Sequence, residues 1–433
     1  MKRTEWVSAS RILVATGLLA LLVKAGCGGD GGGTSPAPES PVFLEKAGGD
    51  NQTGEAGRAL PERIFVRVRD AEGTGIGGET VTFTVTAGGG SVSPVSAVSG
   101  PDGRASTLWT MGAPPVRNRL RASAGRDAVE FTAWAGPGEE PVLELVFQGE
   151  PGVASEDLAF EEGRGLFLGS PGAILNLADP AAGAVEMTLT GEAVESPAGI
   201  AFGPNGDLYV CENGESGTSV KRIEPSGRCE VLSEGFAGRP FALPNHIAVH
   251  SSGEIYLSST CDGRIYRISP ETGRTTEFLA IPGPNGLALD AEEAYLYILT
   301  ENPAVFCLPS PSVRAGLYRV PLGQTGGLER LVEGFALAGD GLAFDEEGNL
   351  YTVFSGDIRG RPGGFDDSGV FVYTPDAPDR PIQAFFTVDV LEGEILTNIA
   401  FGVEPFDPYS LYCYGFTGKL YRVEVGIRGR VLP

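Results

Sequence analysis

Histidine is nearly absent from this chain: His246 and His250 are the only two in 433 residues. Chemistry that pairs a serine or cysteine nucleophile with an imidazole base therefore has almost no base to draw on. Cysteine is scarce as well, six residues, and no two have the C-x-x-C spacing of a zinc site. Cys211, Cys229, Cys261, Cys307 and Cys413 read as small buried apolar residues with room for one disulfide. Basic residues are outnumbered, 32 Lys and Arg against 56 Asp and Glu, for a formal net charge of −24. That balance excludes a phosphate-binding surface and with it a nucleic-acid partner. Long apolar runs and sustained 3.6-residue periodicity are missing too, so neither membrane-spanning helices nor a helical bundle is expected.

Turn formers and short strand-like runs fill the space instead. Gly 64 and Pro 32 punctuate alternating or β-branched segments throughout, which makes the chain all-β. The N-terminus is a targeting segment: Met1-Lys2-Arg3, then the twelve-residue apolar run 12–23, too short to cross a bilayer. Residues 1–26 are read as a signal peptide ending in "KAGC". The small residues before Cys27 resemble a bacterial lipoprotein cleavage site, with Lys24 where leucine is usual, and the resemblance implies a lipidated Cys27. Residues 27–41, rich in Gly, Ser and Pro, form the tether. The expected location is the bacterial cell envelope as a lipoprotein, or a secreted or periplasmic form, touching membrane only through the lipid.

Residues 42–136 carry a row of strand signals, "RIFVRVRD", "ETVTFTVT", "RASTLWTM", "NRLRASAG" and "AVEFTAWA", separated by turns such as "GPDG". About seven short strands in that length is a β-sandwich pattern. The segment resembles the immunoglobulin-like domains of the invasin/intimin type, which implies a spacer, or a module that holds a surface ligand.

After the linker 137–141, the chain repeats one phrase. "EDLAFEEGRGLFLGS" at 156, "AGIAFGPNGDLYVCE" at 198, "NHIAVHSSGEIYLSS" at 245, "NGLALDAEEAYLYIL" at 285, "DGLAFDEEGNLYTVF" at 340 and "TNIAFGVEPFDPYSLYCY" at 397 share its grammar. Each has two residues, then apolar-Ala-apolar, a polar turn and a second strand, with two more strands usually following. Four strands per copy at a period of about 40 to 60 residues predicts a β-propeller, here six-bladed over 142–433. "VLELVFQ" (142–148) belongs to no copy and is expected to complete the last blade, leaving no open edge.

The first strand of each blade lines the central channel, so the first position of the phrase sits at its mouth. It reads Glu156, Ala198, Asn245, Asn285, Asp340 and Thr397. Asn and Asp favour turns, but Glu does not, and four oxygens in equivalent slots converge on one point. Carboxylates facing one another off water are costly unless a cation joins them. Glu156, Asn245, Asn285 and Asp340 make a formal −2 shell of hard oxygens, which suits Ca²⁺ first, with Zn²⁺ or Mg²⁺ as alternatives. Ser170, Glu212, Ser259, Thr300, Glu301 and Ser355 end the second strands on the same side and are candidates to ring a substrate.

Residues from about 142 to the end resemble the senescence marker protein/gluconolactonase/luciferin-regenerating enzyme propellers, on the acid of "SEDLAF", "PNHIAV", "GPNGLALDAEEAYLYI", "GDGLAFDEEGNLY" and the closing "TNIAFG…LYCYGFTGKLYRVEV". The resemblance implies a divalent cation held by Glu156, Asn245, Asn285 and Asp340. It also implies hydrolysis of a lactone or other ester, with Asp340 as general acid and base. The family commonly has Asp where this chain has His246, and an Arg nearer the first Asn than Arg239 is. By strand alternation His246 is expected to point away from Asn245 and to pack. The competing readings are a non-catalytic binding propeller on an immunoglobulin-like stalk, and a phosphotriesterase on the same metal.

Overall fold

Alternation builds the first layer. In Ile64–Arg69 every second residue, Ile64, Val66 and Val68, is fully buried while Phe65, Arg67 and Arg69 are partly exposed on the other face. Such strands stack into two sheets in this computed structural model. It describes residues 42–430 apart from 137, 139–140, 150–155, 182, 308–311, 324–325, 357–366, 376–381 and 390–393. The targeting segment and tether, 1–41, lie outside the described residues.

One sheet holds Phe43–Gly48, Ile64–Arg69, Arg104–Thr110 and Ser91–Ser93; the other holds Gln52–Glu55, Asp127–Gly136, Arg117–Ala124, Thr80–Ala87 and Ser96–Val98. Their inner faces meet on Val81, Phe83, Trp109, Leu120 and Phe131, a core of its own. Each such buried side chain contributes roughly 1.5–3 kcal/mol.

The repeated phrase coincides with the innermost strand of a sheet each time. We label the strand Glu144–Gln148 β1, and the innermost strands Leu158–Glu161 (β2), Pro197–Phe202 (β3), Pro244–Val249 (β4), Pro284–Leu289 (β5), Ala338–Phe344 (β6) and Leu396–Phe401 (β7). Strands following each of them add outward in chain order, antiparallel, to make sheets of four strands, one of which gains a fifth, parallel edge strand, Thr190–Gly191, from the preceding segment. The innermost strands neighbour one another in sequence, and β7 returns to β2, so the sheets close a propeller-like ring. The third position of the phrase (Leu158, Ile200, Ile247, Leu287, Leu342 and Ile399) is buried between adjacent sheets.

The β7 sheet takes its outermost strand from the other end of the ring. β1 pairs antiparallel with Lys419–Glu424, Glu144 opposite Arg422 and Gln148 opposite Lys419. Val146 and Phe147 pack against the cluster of Leu420, Tyr412 and Phe406. A chain beginning at 149 is expected to melt about 5–10 °C below one beginning at 137. Two half-buried side chains are worth roughly 1–2 kcal/mol each, at roughly 2–4 °C per kcal/mol for a domain of this size. Equal melting temperatures would show that β1 does not close the ring.

The sandwich does more than space. Val116, in the loop before Arg117–Ala124, is fully buried among Tyr351, Phe385 and Val425 of the ring. Gly88 N–H donates to both carboxylate oxygens of Glu347 at 2.8 Å, and Gln383 Nε2 donates to the Pro115 carbonyl at 3.4 Å. The two parts belong to one compact unit, Val42 to the C-terminus.

Candidate functional site

The channel mouth is shaped by an irregularity that recurs. In β3, β4, β5, β6 and β7 the register with the next strand shifts by one residue at the start of the phrase. In β4, Pro244 faces Ser259 but Ile247 faces Leu257, so Asn245 and His246 together oppose one residue. Such a bulge breaks simple alternation and re-aims side chains. That corrects the expectation for His246, which does not point away to pack. It is buried in a polar layer across the channel, one step below the mouth.

That layer is made by the second position of the phrase: Asp157, Gly199, His246, Gly286, Gly341 and Asn398. His246 Nδ1 accepts from the Leu287 N–H at 3.3 Å. Nε2 lies 3.3 Å from the Asn398 amide and 3.9 Å from Asp157 Oδ2. Burial lowers the imidazole pKa to about 4, so His246 is neutral at ordinary pH. Asp157 accepts from the Ile200 and Leu158 N–H groups, each at 2.6 Å. Burial still raises its carboxyl well above the usual range, and the charge of Glu156 adds to the rise. The glycines leave room for these side chains: a Cβ on Gly286 would stand 1.8 Å from the Asp340 carbonyl, and one on Gly341 1.9 Å from Asn398 Oδ1. Beneath the layer lies a cavity of about 300 Å³ lined by the phrase's six alanines, Ala159, Ala201, Ala248, Ala288, Ala343 and Ala400.

Above it the acids gather. Glu156 and Asp340 are partly open to solvent, but their carboxyl groups lie deep, and burial raises both pKa values. For Asp340 the negative charges of Glu156, Glu301 and Asp157 raise it further, while hydrogen bonding by Asn285 pulls the other way. Glu301, 4% exposed, is raised to about 8, first by burial and then by the charge of Glu156, against hydrogen bonds from Asn285 and Thr260. The structure therefore brings Glu156, Asn285, Asp340 and Glu301 into one electrostatic cluster. Asn245 is buried at the start of the adjacent β4.

Two buried oxygens in this cluster have no partner: Asn285 Oδ1 and Glu301 Oε1. A polar atom left unpaired away from water costs about 1–3 kcal/mol. An amide oxygen and a carboxylate oxygen, orphaned beside further carboxylates, are donors that a hard cation satisfies. The chemistry of the set thus fits a divalent ion. Among the described residues no three His, Cys, Asp or Glu side chains already stand in metal-holding geometry.

The other rim candidates are engaged elsewhere. Glu212 is buried, pairs with Lys221 Nζ at 3.1 Å and accepts from the Glu195 and Ser196 N–H groups at 2.9 and 2.6 Å. Ser259 donates to Asp262 at 2.6 Å, and Ser355 bonds Ser368 at 2.9 Å, both buried between strands. These three are held by partners within the protein and brace the strand ends. Thr300 is likewise buried, accepting from Gly316 N–H at 3.0 Å, and Ser170 is half-buried. Arg239 is exposed in a small hairpin.

What sequence reading underrated is Glu301. Its N–H is tied to the Gly283 carbonyl at 2.7 Å, and Asn302 N–H to the Leu337 carbonyl at 2.8 Å. Asn302 caps the short helix Pro303–Phe306 (α1), and a disulfide from Cys261 to Cys307 holds α1 to the preceding sheet. A "TEN" at a strand end, followed by proline and a cysteine within six residues, was the available signal. Cys211, Cys229 and Cys413 are free and buried.

No protein-family model matches the chain. A gluconolactonase from Zymomonas mobilis is 24% identical over 271 residues, covering 55% of this chain and 69% of the relative. A luciferin-regenerating enzyme structure superposes with a TM-score of 0.50 at 14% identity, covering 67% of this chain and 98% of that one. Regucalcin from Agrobacterium tumefaciens, described as a calcium-binding protein, matches with a TM-score of 0.48 at 15% identity, over 68% of this chain and 97% of its own. What this chain shares with the luciferin-regenerating enzyme is the fold, an all-β propeller-like ring.

Proposed function

We propose that the chain is a divalent-cation-dependent hydrolase of the gluconolactonase-like type, acting on a lactone or another ester. In this reading the ring is a six-bladed propeller and the sandwich an immunoglobulin-like domain. The observation that carries it is the unpartnered Asn285 Oδ1 buried among the carboxylates of Glu156, Asp340 and Glu301. The similarity to a gluconolactonase supports the substrate class.

Glu156, Asn245, Asn285 and Asp340 would hold the cation, Ca²⁺ before Zn²⁺ or Mg²⁺. When bound, the ion supplies Lewis-acid polarisation of an ester carbonyl. The chain's own part is proton handling and exclusion of water. Asp340 sits where its carboxylate can take a proton from an attacking water and return it to the leaving oxygen. The layer of Asp157, His246 and Asn398 closes the channel below, so substrate and water reach Asp340 from the mouth alone. Elemental analysis of the purified protein, with an activity panel of lactones, aryl esters and phosphotriesters, tests the reading. Stoichiometric cation with lactone or ester turnover supports it. Turnover of phosphotriesters alone, or of nothing while ligands still bind, overturns it for the phosphotriesterase or the binding propeller.

The exported location belongs to the same proposal. The Cys261–Cys307 disulfide favours an oxidising compartment, and no described helix is long and apolar enough to cross a membrane. Cys27→Ala is expected to move the protein from the membrane to the soluble fraction. Unchanged fractionation would remove the lipid anchor from the reading.

A further inference from the structure

The shell expected from the phrase has two carboxylates, Glu156 and Asp340, and two amides, Asn245 and Asn285. None of these accounts for Glu301, which comes from the end of a second strand. A carboxylate 4% exposed, with no basic residue beside it, is costly in a folded protein. Elsewhere in this chain the buried acids are paid for: Glu212 by Lys221 and two N–H groups, Asp157 by two N–H groups. Glu301 has no such compensation, and its Oε1 has no partner at all.

Its surroundings are nevertheless built. The backbone is held on both sides, to Gly283 and to Leu337, and the disulfide fixes the turn that follows. Thr260, beside Glu301, is itself anchored, its Oγ1 donating to the Pro284 carbonyl at 2.8 Å. Asn285 lies beside both Glu301 and Asp340, and its buried side-chain oxygen has no partner. With a cation between them, the Asn285 oxygen and both carboxylates become donors to one centre.

We propose that Glu301 is a third carboxylate ligand of the cation at the channel mouth, making the shell formally −3. Among the described residues no three acids stand in metal-holding geometry, and the unused Glu301 Oε1 is the atom a cation draws in. The extra charge should raise affinity for Ca²⁺ and more so for a trivalent ion of similar size, since ligand charge count tunes affinity at such sites. This inference rests on the reading of the mouth as a cation site.

Glu301→Gln tests it, because the amide keeps the shape and removes the charge. Ca²⁺ and Tb³⁺ binding are measured by titration calorimetry and Tb³⁺ luminescence on the wild type and the variant. Melting is followed with and without Ca²⁺. The expected result is Ca²⁺ affinity lowered by about 10-fold or more, with a larger loss for Tb³⁺. The melting temperature without cation should be at least that of the wild type, since a buried uncompensated acid is gone, and the rise on adding Ca²⁺ should shrink. A purely structural Glu301 would lower the cation-free melting temperature instead. That outcome, or Ca²⁺ affinity within twofold of wild type, overturns the proposal and leaves the remaining ligand set intact. Failure of the wild type itself to bind either ion would overturn the cation site as well.

Discussion

Asp340→Asn is expected to lower turnover by about 10²- to 10⁴-fold with the cation saturating, the range that a positioned acid–base group supplies. The substitution keeps an oxygen and nearly the same volume, but removes the charge and the capacity to take a proton. Asp340 is the acid on which the cluster converges: burial and the charges of Glu156, Glu301 and Asp157 all raise its pKa. A carboxyl perturbed in this way by burial and like charges is characteristic of groups that do chemistry. Weaker cation binding must accompany the change, so the comparison is made at occupancy verified by calorimetry. Asn285→Ala serves as the contrast. It removes a neutral ligand, so excess Ca²⁺ should restore most of its activity. If Asp340→Asn is rescued equally well, Asp340 is a ligand only and the proton goes elsewhere.

Stripping the cation should abolish turnover, and Ca²⁺ should restore it along with thermal stability. An ion that binds only the folded ring at 100 times its dissociation constant adds about 2.7 kcal/mol. The effect should grow with pH, and its sign follows from the raised carboxyls. In the cation-free protein Glu301 holds its proton to about pH 8, whereas its ordinary value is 4.5. Between these values the folded state binds more protons than the unfolded one, so cation-free stability falls as pH rises. Deprotonated ligands are what the cation needs, so the stabilisation by Ca²⁺ rises over the same interval. Melting curves at pH 5 and pH 8, with chelator and with Ca²⁺, check both slopes. A Ca²⁺-induced shift that is flat or declining with pH would exclude carboxylate ligands of raised pKa.

The repeated phrase made the innermost strands legible because each copy carries the same demand: a turn, an apolar residue between sheets, an alanine on the channel. The slots of Glu156, Asn285 and Asp340 followed from that alignment alone. His246 did not, because alternation fails at a bulge, and the extra residue in β4 shows only in its pairing with Ile255–Ser259. Glu301 was legible as a strand-end acid but not as a member of the cluster, since its place is set by backbone bonds from Glu301 to Gly283 and from Asn302 to Leu337, residues distant from it in sequence. Glu212 looked equivalent in sequence and was captured by Lys221, nine residues on, across a strand pair. The docking of the sandwich rests largely on one valine in "APPVR", too little apolar surface to stand out in a sequence.

That docking also fixes which way the molecule looks. Glu347 lies in the turn after β6, at the opposite end of that strand from Asp340, and it is this turn that receives Gly88. The sandwich therefore leans on the underside of the ring. Whatever touches the sandwich stands on the side away from Asp340, and access to the opening over Asp340 is left clear.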